Sequence, residues 1–148
     1  HTHTPAGMAV SSLACGLLPM NQTSMRFLKI SYHDYMGVVL DMAEQDVLVR
    51  DLGSSEAMVL RNHGLLTCGP SVGEAFNLLY NLELACRAQV DAMAAQTALN
   101  LPAQEVLDKT AHLYQPGARR PYGVLEWPAM LRLLHAESAH SGFAPYDS

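Results

Sequence analysis

Ala57-Met58-Val59-Leu60-Arg61-Asn62-His63-Gly64-Leu65-Leu66-Thr67-Cys68 is the stretch on which the fold turns. Ala57 to Arg61 is a short, nearly continuous apolar run, the pattern of a strand buried on both faces. Asn62-His63-Gly64 reads as a turn, and Leu65 to Cys68 as a second short strand that Gly69-Pro70 ends. Ser71-Val72-Gly73-Glu74 follows at once and has the Ser-x-x-Glu form of a capping box. It opens the longest helix, expected from Val72 to about Gln96. Val72, Ala75, Phe76, Leu79, Leu82, Cys86, Val90 and Met93 form its apolar stripe, and Asn77, Asn81, Gln89 and Asp91 its polar face. Strands next to a long amphipathic helix predict a sheet covered by helices, an α/β protein.

Upstream, Thr4-Pro5 is a helix start, with Thr4 as cap and Pro5 at the first helical position, where no amide hydrogen is needed. That helix should run to about Cys15 and stop at Gly16. His1-Thr2-His3 then forms the end of a strand entering it, with His1 and His3 on one face. Leu17 to Ser24 reads as loop, Arg26 to Ile30 as a short strand, and Ser31 to Gly37 as a polar, aromatic loop. Asp41 is placed to cap a helix from Met42 to about Asp51, ended by Gly53. Downstream, Pro102 opens a short helix to about His112, and Gln115 to Pro121 reads as a linker. Trp127-Pro128 leads into a last helix ending near Ala136, followed by a loose tail. The division expected is a domain over 1–115, with linker, helix and tail over 116–148.

A chain of 148 residues is the size of one domain. Its 49% hydrophobic and 16% charged content excludes a disordered tail, a fibre or a highly charged coiled coil. No run of 18 apolar residues suggests a membrane span. Nine basic against fourteen acidic residues give a net charge of −5, which speaks against nucleic acid or an anionic membrane as partner. Cys15, Cys68 and Cys86 fit neither a disulfide framework nor a metal knuckle. They are expected as small core hydrophobes in a reducing compartment, the cytoplasm. The chain begins inside what reads as a motif, so it is expected to be the C-terminal part of something longer. No phosphate-binding Walker loop, G-x-G-x-x-G or G-x-S-x-G occurs.

Three of the seven histidines stand in telling places: His1 and His3 at the strand end, His63 in the turn closing a buried strand. Two imidazoles from one strand corner and a third from a distant turn are a usual way to build a metal site with an open position. A frayed terminus or a remnant tag is the alternative reading of His1 and His3. A tag would run its histidines consecutively, whereas threonines alternate here. His112, His135 and His140 are expected on helix surfaces or tail, and His33 either lines a pocket or bonds within its loop.

Four motifs together carry a resemblance: His1-Thr2-His3-Thr4-Pro5-Ala6-Gly7, Cys15-Gly16-Leu17-Leu18-Pro19, Tyr32-His33-Asp34-Tyr35 and Leu60-Arg61-Asn62-His63-Gly64-Leu65. In order and separation they resemble the class II aldolase/adducin family. The resemblance runs from Thr2 to Met93, with a fainter echo to the Glu126–Leu134 helix. It implies a three-layer α/β/α fold with a central, mostly antiparallel sheet, and homo-oligomers, commonly tetramers. It also implies that His1, His3 and His63 hold a divalent metal, usually Zn2+, with Mn2+, Co2+ or Fe2+ as alternatives. Tyr32, Asp34 and Tyr35 are then expected at the substrate cleft or a subunit contact, and Asn62 as the residue orienting the His63 turn. The family's acid/base glutamate and its phosphate-binding loops lie before the H-x-H pair, outside these residues.

The activity implied is that of a metal-dependent lyase or epimerase acting on a small hydroxylated carbonyl compound or sugar phosphate. Two features point to the adducin branch instead. The Pro19–Ser24 stretch lacks the tyrosine that sugar-phosphate aldolases carry there, and Cys-Gly-Leu-Leu-Pro and Tyr-His-Asp-Tyr look closer to adducin heads. The alternative expectation is therefore a non-catalytic, adducin-head-like oligomeric interaction module.

Overall fold

The computed structural model describes residues 1–37, 43–115, 117–118 and 121–141. Its ordered elements are α1 (Pro5–Ser11), β1 (Ser31–His33), α2 (Ala43–Leu52), β2 (Ala57–Leu60), β3 (Gly64–Thr67), α3 (Val72–Ala94), α4 (Gln104–His112) and α5 (Glu126–Ser141), with a short 3-10 helix over Ser24–Phe27. The sheet has the order β1-β2-β3. β1 runs parallel to β2, joined through α2, and β2 runs antiparallel to β3 in a hairpin, with Met58 opposite Leu66. Thr2 adds a further antiparallel pairing on the outer side of β3. This is a mixed sheet flanked by helices, in the expected α/β class.

The hairpin forms where the sequence places it, and β2 is buried at all four positions. α1 and α3 pack against β3 and against each other, while α2 packs against β1. Val10, Val59, Leu65, Leu82, Ala85 and Cys86 meet at the centre of the core, none more than 1% exposed. Each of the valines and leucines among them contributes about 1.5–3 kcal/mol through burial.

Several local expectations are corrected. α1 stops at Ser11, because the Ser11 and Ser12 hydroxyls donate to the Met8 carbonyl and the turn closes there. Arg26 to Phe27 belongs to the 3-10 helix rather than to a strand. Asn21 and Ser24 start that helix by bonding each other's backbone amides, at 2.9 and 3.0 Å. Ser31–His33 is a strand, not a loop, since it pairs with β2 despite its polar residues. α4 begins at Gln104, two residues after Pro102, and α5 continues to Ser141, past Ala136. The proposed cap Asp41 and helix start Met42, together with part of the 115–121 linker, lie outside the described residues.

The buried face of α3 is also displaced from the expected stripe. Asn77 and Gln89 are buried, whereas Val72, Phe76 and Met93 are exposed. Gln89, fully buried, donates from Nε2 to the Gly16 carbonyl at 2.7 Å and accepts the Leu18 amide on Oε1 at 2.7 Å. It fastens the segment after α1 to the helix, which is why a polar group is tolerated there. Only Cys86 is a core cysteine, and burial pushes its thiol pKa up to about 12. Cys15 and Cys68 are exposed.

Candidate metal centre

The site begins with backbone. Thr2 and Leu65 exchange two hydrogen bonds, Thr2 N–H to Leu65 O at 2.9 Å and Leu65 N–H to Thr2 O at 3.1 Å. This fixes the entering strand beside the turn between β2 and β3. The approach is so close that a Cβ on Gly64 would overlap the Thr2 carbonyl oxygen. Asn62 takes the left-handed conformation that the turn needs, with φ of 55°, a region Asn tolerates better than most residues. Its amide donates to the Ser11 carbonyl at 3.1 Å, which ties the turn to the end of α1.

These constraints bring three imidazoles together across 60 positions of sequence. His1 Nε2 lies 3.2 Å from His3 Nε2, and His63 Nε2 lies 2.7 Å from His3 Nε2. The three ligand nitrogens lie within 4.8 Å of one another. The ring centroids are 5.0, 5.4 and 4.6 Å apart. His1 and His3 are exposed and His63 is half-buried, so the cluster faces solvent.

The donor set can be tested against a metal. Zinc–imidazole bonds of about 2.0–2.1 Å at tetrahedral angles put ligand nitrogens roughly 3.3 Å apart. The His1–His3 separation of 3.2 Å is near that figure, the His3–His63 separation of 2.7 Å is shorter, and all three nitrogens lie within 4.8 Å. Three clustered imidazole nitrogens at a solvent-facing position suit a borderline divalent ion with an open coordination position.

The other expected residues are distributed around this centre. The Tyr35 ring stands edge-on to His63 at 6.2 Å between centroids and is itself exposed. Asp34 is exposed next to it. Tyr32 packs against the core; its hydroxyl accepts the Leu17 amide at 3.1 Å, and the Arg61 guanidinium lies 4.3 Å over its ring. Arg61 also donates to the Leu13 carbonyl at 2.8 Å, so the residue two before His63 is anchored on both sides. His33 is buried and pairs through Nδ1 with Asp51 Oδ2 at 2.8 Å. Hydrogen bonds from His33 and then Arg50 hold the Asp51 carboxyl below its ordinary pKa.

One supporting residue has no signal in the local pattern. Glu83 of α3 accepts from the Thr4 hydroxyl and from the Gly7 amide, the latter at 3.1 Å. Its carboxylate satisfies the start of α1 and complements that helix's dipole. Thr4 therefore spends its hydroxyl on α3 rather than on capping its own helix.

Comparison with known proteins adds independent findings. Residues 1–90 match the family model described as the class II aldolase and adducin N-terminal domain. A Pseudomonas aeruginosa protein provisionally named as a class 2 aldolase is 41% identical over 143 residues, covering 93% of this chain and 55% of that protein. Rat alpha-adducin is 45% identical over 96 residues, covering 64% of this chain and 13% of adducin. The crystal structure of an aldolase II superfamily protein from Pseudomonas syringae superposes with a TM-score of 0.85 at 42% identity, covering 93% of this chain and 55% of that one. The chain thus spans about half the length of its bacterial relative and a small part of adducin. Among the described residues no helix is long and apolar enough to cross a membrane.

Proposed function

The chain belongs to the class II aldolase and adducin family, and on that premise we propose that His1, His3 and His63 hold one divalent metal, zinc foremost, in a lyase or epimerase site. The substrate class is a small hydroxylated carbonyl compound or sugar phosphate. The observation that carries the reading is the convergence of three imidazole nitrogens within 4.8 Å. A bound divalent ion supplies Lewis-acid polarisation of a carbonyl or enediolate oxygen. The chain's own residues bind and position. Gly64 and Asn62 hold the His63 turn against the entering strand, Glu83 fixes the helix that leaves His3, and Tyr35 stands edge-on beside His63. The protein works as a homo-oligomer, a tetramer in this reading, in the cytoplasm.

A second reading is supported by the 45% identity with alpha-adducin and by the absence of a tyrosine between Pro19 and Ser24. In it the domain is a non-catalytic oligomeric interaction module. Turnover separates the two. Full-length, tag-free protein is assayed for cleavage and epimerisation of sugar phosphates and hydroxy-ketones, before and after chelation and after zinc is returned. Activity lost on chelation and restored by zinc, and lost in His63→Ala, supports the enzyme. A folded, zinc-loaded oligomer inert to the whole panel supports the module.

A further inference from the structure

The opposite end of the sheet carries an unusual cation. Arg26, at the end of the 3-10 helix, is half-buried. One of its nitrogens donates to Asn77 Oδ1 at 2.9 Å, and that neutral amide is its hydrogen-bond partner on α3. Among the described residues no carboxylate lies within salt-bridge distance of it. The guanidinium lies 4.8 Å from the Tyr122 ring centroid, 5.8 Å from that of Tyr114 and 6.0 Å from that of Phe27. Burial pulls its pKa below the usual arginine value, against the opposing influence of Tyr122, Tyr114, Glu56 and Glu126. Buried charges in proteins are normally paired, because an unpaired one forfeits its hydration.

Arg26 also lines open space. A cleft of about 830 Å³ runs between the 3-10 helix, the segment before β2 and α4. A smaller one of about 370 Å³ adjoins it, and Arg26, Glu56, Leu78 and Tyr114 line both. The larger volume is in the range of pockets that enclose small molecules, about 300–1,000 Å³. Lys29 and His112 add positive or proton-bearing groups at its wall, Asp108 joins Glu56 as a second carboxylate, and Phe27, Leu78 and Leu107 supply apolar surface. Ala57 opens β2 at this end, while His63 follows its far end. Four strand residues, about 13 Å, therefore separate the cleft from the histidines.

We propose that this cleft binds a small carboxylate with an apolar or aromatic body, its carboxylate on Arg26 and its body against Phe27, Leu78 and Tyr114. Arg26 lines the cleft, and a planar guanidinium fork suits a carboxylate in the bidentate manner. Glu56 next to it selects a monoanion over the more highly charged phosphate. Aromatic rings around the guanidinium keep it desolvated, which strengthens the ion pair formed on binding.

The test uses the full-length protein stripped of metal with chelator, so that the outcome is independent of the histidine site. Benzoate, benzamide and inorganic phosphate are titrated separately while amide and arginine side-chain NMR shifts are followed. Saturable benzoate shifts at Arg26, Leu78 and Tyr114, with benzamide silent, are expected. Arg26→Gln should weaken benzoate about tenfold or more. Glu56→Gln removes an exposed like charge without touching the core and should tighten benzoate about fivefold. The proposal is overturned by no saturable benzoate binding, by benzamide binding equally well, by phosphate binding there in place of benzoate, or by Glu56→Gln leaving the affinity unchanged.

Discussion

The two ends of the β1–β2 pair hold positively charged or proton-bearing groups in opposite ways. At the C-terminal end of β2, backbone does the placing. Two hydrogen bonds between Thr2 and Leu65, a glycine without room for a methyl and a left-handed asparagine set three histidines side by side, His1 and His3 exposed and His63 half-buried. At the other end, side chains from scattered elements surround one half-buried arginine, with a neutral amide as its partner. The first arrangement gathers three imidazole nitrogens within 4.8 Å of one another, a donor set of the kind borderline divalent ions take. The second sets a guanidinium on the wall of a cleft, the arrangement on which the proposed carboxylate site rests. The same short strands thus separate the histidine cluster from the cleft that Arg26 lines.

The strongest way to break the first end without touching a histidine is Gly64→Val. The added side chain would drive Thr2 off β3, costing about 3 kcal/mol or more through overpacking and two lost hydrogen bonds. Chemical denaturation should report that loss, and zinc affinity should fall with it even though all three ligands remain. A variant as stable as the wild type with unaltered zinc affinity would mean that the backbone does not set the site.

Gln89→Leu probes what joins α3 to the segment leading to the Arg26 end. It leaves the Leu18 amide and the Gly16 carbonyl without their partner in a buried position, at a cost of about 2–4 kcal/mol. Zinc affinity should hold while denaturant stability drops. Glu83→Gln is milder. It removes the carboxylate at the start of α1 and should cost about 1 kcal/mol, with a small loss of zinc affinity because His3 precedes that helix directly.

The thiols give the smallest effect and the sharpest contrast. Cys15 and Cys68 are exposed and should react with Ellman's reagent in the native state at pH 8, whereas Cys86 should react only on unfolding. The sign for stability follows from the raised thiol pKa of Cys86. An unfolded cysteine ionises near 9.0 and the folded one near 12. Its contribution is complete below about pH 9 and is lost as the pH rises towards 12. Cys86→Ala should remove that part of the alkaline destabilisation.

The parts of the histidine end were legible in the sequence because each carries a local signal, while the Thr2–Leu65 pairing that joins them is long-range. Alternation along a strand puts His1 and His3 on one face, and Asn62-His63-Gly64 reads as a turn by composition alone. The hairpin and both ends of α3 were legible for the same reason. The Arg26 end was not, since Arg26, Asn77, Tyr114 and Tyr122 meet only through tertiary packing. The buried face of α3 was misread where Gln89 and Asn77 spend their polar atoms on partners 73 and 51 positions away. Arg26 to Ile30 looked like a strand by its apolar residues, and the reciprocal Asn21–Ser24 bonding that starts a helix there was the overlooked signal. Glu83 was invisible because nothing in its neighbourhood shows that α1 begins against it.

The central claim is that one divalent ion sits on His1, His3 and His63. The direct test is metal content by inductively coupled plasma mass spectrometry, on full-length, tag-free protein and on each His→Ala variant. The account predicts about one zinc, manganese, cobalt or iron per chain, lost in all three variants while the fold persists. No bound metal after incubation with excess Zn2+, or content unchanged when the histidines are removed, would contradict it.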